Sequence, residues 1–313
     1  MPLSDLGATI ALGLRYFTII YLTGLGGLFS ERSGIVNIGL EGILIVGTVM
    51  GAWGTIEFGP FAGLLIGAGA GLLFSMVHAL ATVTFRVDHI VSGVVINVVA
   101  IGLARFLAQL FFGQATQSDP GIPNFGTVDV PLLDALPLGL GQAFKGMSPV
   151  VPVAFLVAIP ALFVLNRTRF GLRLRSAGEN PEAARTLGVR VAPLRYAGVG
   201  ISGALGGLAG AFLAIEINEL FREGQTQGLG FIALAALILG NWQPLRVLVA
   251  ALVFGVAQAI PLRFSDAPVI SLLPEEFIRM LPYVITIIAI AGFVGRVQPP
   301  AAAGRAYEGA GGT

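Results

Sequence analysis

Runs of about 20 apolar residues, separated by short polar joints, recur from near the N-terminus to residue 295, and they limit the folds open to this chain. A run of that length crosses the hydrocarbon core of a bilayer as a helix. There every backbone N–H and C=O must find an internal partner, which only helices and closed barrels provide. Candidate spans fall near 8–29, 35–55, 60–82, 90–113, 148–166, 194–216, 229–241, 245–262 and 276–295. The seventh is short and is open to three readings: a crossing, a re-entrant segment or half of a broken helix. The expected fold class is therefore all-α: a polytopic integral membrane helix bundle of about 8–10 transmembrane helices, with nine the working number. Composition agrees, with 55% hydrophobic and 11% charged residues against about a quarter charged in soluble domains. Glycines spaced by four (Gly63, Gly67 and Gly71; Gly203 and Gly207; Gly206 and Gly210) predict close helix–helix packing rather than a ligand site.

Several chemistries are excluded. The chain has no Cys and only two His residues, His78 and His89, so disulfides, thiolate chemistry and a histidine metal centre are not expected. Asp88 and His89 are neighbours in sequence and point to different helix faces, so no catalytic constellation forms and no enzyme is expected. Lys145 is the single lysine and no Gly-Lys pair exists, so a phosphate-binding P-loop is absent. No cofactor is expected on this chain and no nucleic-acid partner, although a net charge of +1 says nothing about partners until the charges are placed. The first apolar run lacks a basic n-region and a cleavage site, and reads as a retained span.

Positive charge sets an orientation. Seven of the 18 Lys and Arg residues (Arg167, Arg169, Arg173, Arg175, Arg185, Arg190 and Arg195) lie in one connection, which the positive-inside rule places in the cytoplasm. Alternation from there puts Arg32, Arg86, Arg246, Arg296 and Arg305 inside too, the N-terminus outside and the C-terminus cytoplasmic. Residues 1–295 read as one transmembrane domain, with a cytoplasmic segment at 167–195. The tail 296–313, rich in Pro, Ala and Gly, reads as disordered.

Within 167–195, "ENPEAARTLGV" predicts a short helix. Asn180 is its N-cap, Pro181 sits in its first turn, and Gly188 ends it in a left-handed conformation. Glu182, Ala183, Ala184 and Gly188 follow the pattern E-A-A-x-x-x-G, whose small residues leave a shallow face for a soluble partner. An ordinary amphipathic loop helix is the alternative. In "SERSGIVNIGLEG", Glu31 and Arg32 read as a solvated turn, while Asn37 and Glu41 are placed on one face of the next helix. Further polar residues lie where lipid contact is costly: Asn97 in the fourth span, and Asn218, Glu219, Gln225 and Gln227 ahead of Phe231 in the short seventh. Gly224, Gly228 and Gly230 supply the backbone freedom a discontinuous helix needs. Arg105 and Gln109 share a face that turns inward or to a wet path. Trp242 with Gln243 and Pro244 reads as an interfacial anchor and turn.

Together "RSGIVNIGLEG", "GLRLRSAGENPEAARTLGV", "SGALGGLAGA" and "FREGQTQGLGFIALAALILGNWQP" resemble the permease subunits of bacterial ABC importers. The branch is that of branched-chain amino acid, simple-sugar and nucleoside permeases, and the similarity is greatest to the nucleoside and simple-sugar subgroup. The I-x-L-P continuation of many coupling motifs is missing; that place reads "GVGIS". The resemblance implies a multi-pass chain in the cytoplasmic membrane of a prokaryote. It implies as partners an ABC ATPase subunit, which uses ATP and Mg, a second and different permease subunit, an extracytoplasmic substrate-binding protein and membrane lipid. Glu182, Ala183, Ala184 and Gly188 would couple to the ATPase. Asn37, Glu41, Asn97, Asn218, Glu219, Gln225, Gln227 and Phe231 are candidates for the substrate path, offering amides and carboxylates for hydroxyls and an aromatic face for a base. The alternatives are a gradient-driven transporter of a small polar solute, with Glu41, Glu216, Glu219, Arg105 and Asp88 as its ionisable candidates, and a permease for branched-chain amino acids.

Overall fold

The apolar runs form helices, and the polar joints between them turn the chain. The computed structural model describes residues 3–129, 140–264 and 297–307, with isolated positions at 277, 280, 284, 287 and 288. Ten α-helices lie among them: α1 Leu3–Arg32, α2 Leu40–Phe58, α3 Pro60–Ala79, α4 His89–Phe112, α5 Val150–Arg167, α6 Arg169–Glu179, α7 Pro181–Thr186, α8 Val191–Phe212, α9 Leu229–Leu239 and α10 Pro244–Phe264. Turns of π-helix extend α3 over Leu80–Thr84 and α8 over Leu213–Ile217. Pairing of β type among the described residues is limited to isolated bridges, Gln117 with Arg222 and Val128 with Met147. Among the described residues, seven helices are long and apolar enough to span a membrane. The expected seventh span is α9, whose 11 residues rise about 16 Å, half of a hydrocarbon core. The expected ninth span, 276–295, lies almost wholly outside the described residues.

Helices α2, α3 and α8 pack at the centre, and small residues set their spacing. A Cβ added at Gly207 would run into the carbonyl oxygen of Gly67, and one at Gly47 into that of Gly207. Gly71 meets Gly203 in the same way, so the ladders read from the sequence face one another. Around this centre α1 packs on α10, with Phe17 stacked on Tyr21 (ring centroids 5.5 Å apart) inside the largest apolar cluster. The outward faces carry Phe61, Leu65 and Leu73 on α3, Val94, Val98 and Phe106 on α4, and Leu156, Ile159 and Phe163 on α5. Such faces suit lipid or a neighbouring subunit.

The connections gather at two ends, as alternation requires. One end, here the basic end, carries residues 33–39, 167–190, 240–243 and 297–307, joined by hydrogen bonds such as Gly304 N–H to Gly34 O and Ala302 N–H to Gly178 O. The opposite end joins 116–125 to 216–223, through Ser118 N–H to Phe221 O and Phe125 N–H to Glu216 Oε1. Three sequence expectations change at the basic end. Glu31 is not in a solvated turn: α1 continues through it, and it is 4% exposed. Trp242 is no interfacial anchor, because its indole N–H donates to Glu31 Oε2 at 2.6 Å and the residue is buried. Asn37 is not on the face of α2, which begins at Leu40; it lies in the non-helical link before it.

Candidate functional site

Between the opposite end and the middle of the bundle the chain is not helical. Residues 218–228 descend in turns with positive φ at Glu219, Gly224, Gln227 and Gly228, and α9 then runs on to the basic end. A helix that starts inside the bundle leaves N–H groups without intrahelical partners. The Glu41 carboxylate fills that need. It accepts from Gly228 N–H at 3.0 Å and Thr226 Oγ1 at 2.6 Å through Oε1, and from Gly230 N–H at 2.7 Å through Oε2. A negative charge at this place also suits the positive end of the α9 dipole. Gly230 lies against the Glu41 backbone with no room for a Cβ, so α2 and α9 can come this close.

The descending loop walls a cavity of about 350 Å³ between itself, α2 and α4. Of the residues selected from the sequence, Glu41, Asn97, Gln225, Gln227 and Phe231 line it. Asn97 also braces the site, accepting from Gly42 N–H at 2.8 Å and donating to Ile38 O at 3.1 Å. Gln225 lines the cavity, and its buried amide nitrogen has no hydrogen-bond partner among the described residues, so a turn of the side chain would present a free donor to a guest. Phe231, 48% exposed, offers an aromatic face. The remaining three candidates stand apart. Asn37 is fully buried, donating to Ser202 Oγ and accepting from Gly39 N–H. Asn218 donates to Gln225 Oε1 at 3.0 Å, and Glu219 accepts through its carbonyl from Gly121 and Ile122.

Sequence reading did not select Phe221, Arg222, Glu223 or Thr226, which also line the cavity. Their signal was present in "FREGQT", a charged cluster beside a short span. Arg105 Nε donates to Glu223 Oε1 at 2.6 Å, and both side chains keep solvent access. An ion pair on lipid-exposed helix surface would be costly, so this rim of the cavity faces water or another subunit. Gln109 does not join it; its amide caps the Gly113 carbonyl. Both histidines sit at the basic end. His78 lies between Ser92 Oγ and Val36 O, and His89 Nδ1 accepts from Val36 N–H. Among the described residues no group of His, Asp and Glu could hold a metal ion.

At the basic end, the Asn180 side chain caps α7 by accepting from Ala183 N–H at 3.0 Å, and Gly188 follows with φ of 80°. Ala184 turns inward, packed with Ala177 and Val191. Glu182 and Ala183 face outward, and Leu187, 83% exposed, is the prominent apolar group at the tip. The shallow face expected from both alanines is thus a face of Ala183 and Leu187. Gly178, at the end of α6, lies against the Arg32 carbonyl with no room for a Cβ, which joins α6 directly to the end of α1.

Residues 297–307 are docked, contrary to the disorder expected of the tail; 308–313 lie outside the described residues. Gln298 N–H donates to Asn241 Oδ1, Ala301 N–H to Glu179 Oε2, and Arg195 Nη1 to Arg305 O, with the Tyr307 ring 5.6 Å from the Arg195 guanidinium. Small side chains let this backbone reach carbonyls that helix ends leave open, a source of order that composition does not report.

The model of the family described as branched-chain amino acid transport system / permease component matches residues 9–290. The chain is 44% identical to the nucleoside ABC transporter permease protein NupC of Lactococcus lactis subsp. cremoris, with 94% of each chain covered. It is 43% identical to the guanosine ABC transporter permease protein NupQ of Bacillus subtilis, again over 94% of each. A putative glucose ABC transporter permease protein, TsgC13 of Haloferax volcanii, is 34% identical over 90% of each. No solved structure matches the chain. The bundle of spanning helices with a broken helix beside a cavity agrees with these matches, and the chain belongs to the branched-chain amino acid transport system / permease component family.

Proposed function

We propose that this chain is the membrane-spanning subunit of an ATP-driven importer that carries nucleosides through the cavity beside α9. One observation carries the reading: a half-helix N-terminus, a buried unpartnered amide at Gln225 and the Phe231 ring converge on one cavity of about 350 Å³. A nucleoside matches this wall, its base lying on an aromatic face and its hydroxyls meeting amides and carboxylates. Two relatives at 43–44% identity bear nucleoside names, while the one with a glucose name stands at 34%.

In this reading the basic end is cytoplasmic, the N-terminus outside and the C-terminus inside. An ATPase subunit docks on α6 and α7, touching Glu182, Ala183, Leu187 and the turn at Gly188. Closure of the ATPase pair pushes this segment, and Gly178 against the end of α1 passes the displacement into the bundle. The cavity then opens to the other side. A second, different permease subunit covers the α4 side of the cavity, where the Arg105–Glu223 pair lies, and an extracytoplasmic binding protein delivers substrate at the opposite end. Cells expressing the importer provide the test through competition for labelled guanosine uptake. Unlabelled nucleosides in tenfold excess should remove most of the signal, whereas glucose and leucine should remove none. Competition by glucose or leucine alone would transfer the cavity to a sugar or an amino acid.

A further inference from the structure

A second cavity, of about 300 Å³, opens at the basic end between the end of α5, the start of α10 and α6. Arg32 and Arg175 line it together with Asn166, Gln243, Leu162 and Leu245, and no carboxylate does. The two guanidinium groups lie within electrostatic reach of each other. Arg32 is partly compensated: it donates to the Trp242 carbonyl and stands 3.6 Å from Glu179. Arg175 is not. Its Nε is buried with no hydrogen-bond partner, and no salt bridge reaches it among the described residues. Like charges paired on one cavity wall, one of them without a counter-charge, favour an anion between them.

The surroundings say where that anion comes from. Below Leu162 on α5 lie the outward residues Ile159 and Leu156, and below Leu245 on α10 lies Val249, all more than half exposed. A groove with an apolar floor and a cationic, amide-lined head fits a lipid, with acyl chains along the helices and the phosphate at the arginines. A soluble phosphate would have no use for the apolar floor. We propose that this cavity holds the headgroup phosphate of an anionic phospholipid, ligated by Arg175 and Arg32, with Asn166 and Gln243 contacting headgroup oxygens. Because Arg175 is on α6, the bound lipid braces the helix that leads into α7.

Native mass spectrometry of the full-length chain tests this, with phosphatidylglycerol, phosphatidylcholine or inorganic phosphate added to the detergent solution. The wild-type chain should retain one phosphatidylglycerol in preference to phosphatidylcholine. Arg175→Gln should weaken that retention about fivefold, the effect of losing one basic residue at a lipid surface. Gln243→Glu, at an exposed position, should abolish it by placing a carboxylate in the cavity. Equal retention of phosphatidylglycerol by wild type and Gln243→Glu would overturn the proposal. So would equal retention of phosphatidylcholine, or occupancy of the same site by inorganic phosphate alone.

Discussion

Gly207→Val is expected to leave little folded protein in the membrane, and Gly69→Val to leave wild-type amounts. Both glycines lie in helices that meet at the centre of the bundle, and their surroundings differ. At Gly207 on α8, an added side chain would displace the Gly67 carbonyl and the Gly71 backbone of α3, neither of which can move without shifting a helix. At Gly69 on α3 no described residue lies within 4 Å of an added Cβ. Overpacking a core costs about 1–3 kcal/mol where side chains can yield. Where the obstacle is backbone, the cost should reach at least about 3 kcal/mol, a large share of the stability of an ordinary domain. Yield after detergent extraction and the thermal midpoint of the purified chain measure this. A Gly207→Val protein of normal yield and unchanged midpoint would mean that α3 and α8 are not in backbone contact.

The second large effect belongs to Glu41. Glu41→Ala removes three acceptor contacts to the α9 start and strands the N–H groups of Gly228 and Gly230 inside the bundle. Buried groups left without partners cost about 1–3 kcal/mol each. The start of α9 should therefore fray and the cavity wall lose its shape. Uptake should fall at least about tenfold, while membrane insertion and association with the ATPase persist, because the basic-end contacts of α6 and α7 do not involve this residue. Glu41→Gln should lie close to Ala, since its amide places a donor against a donor. Glu41→Asp, which keeps the charge on a shorter arm, should retain part of the activity. Unchanged uptake in Glu41→Ala would mean that the α9 start takes no part in transport.

Glu41 also marks how far residue spacing reaches. The sequence pointed to this carboxylate and to Gln225, Gln227 and Phe231 because charge and amides beside an apolar run are expensive in lipid. It could not join them, since the contact from Glu41 to Gly230 spans 189 residues. Asn97 was selected for the same reason, and its bonds to Ile38 and Gly42 make it a brace of the link before α2 as well as a wall residue. Asn37 was misplaced because i,i+4 spacing predicts a shared face only where the helix exists. The tail misled in the opposite way. Its Pro/Ala/Gly composition describes a segment without an apolar core of its own, yet 297–307 is held by backbone hydrogen bonds to other elements. Asn180, Pro181 and Gly188 show the favourable case: capping and left-handed turns are local events, and the short α7 stands where they place it.

The central claim is ATP-coupled nucleoside movement through this chain. Its most direct measurement is uptake of labelled guanosine into proteoliposomes that hold this permease with its partner permease and ATPase, with the binding protein added outside. ATP enclosed in the vesicles should drive accumulation, vanadate should stop it, and a protonophore should leave it unchanged. Accumulation that survives vanadate and collapses with the protonophore would contradict the account and establish a gradient-driven transporter in its place.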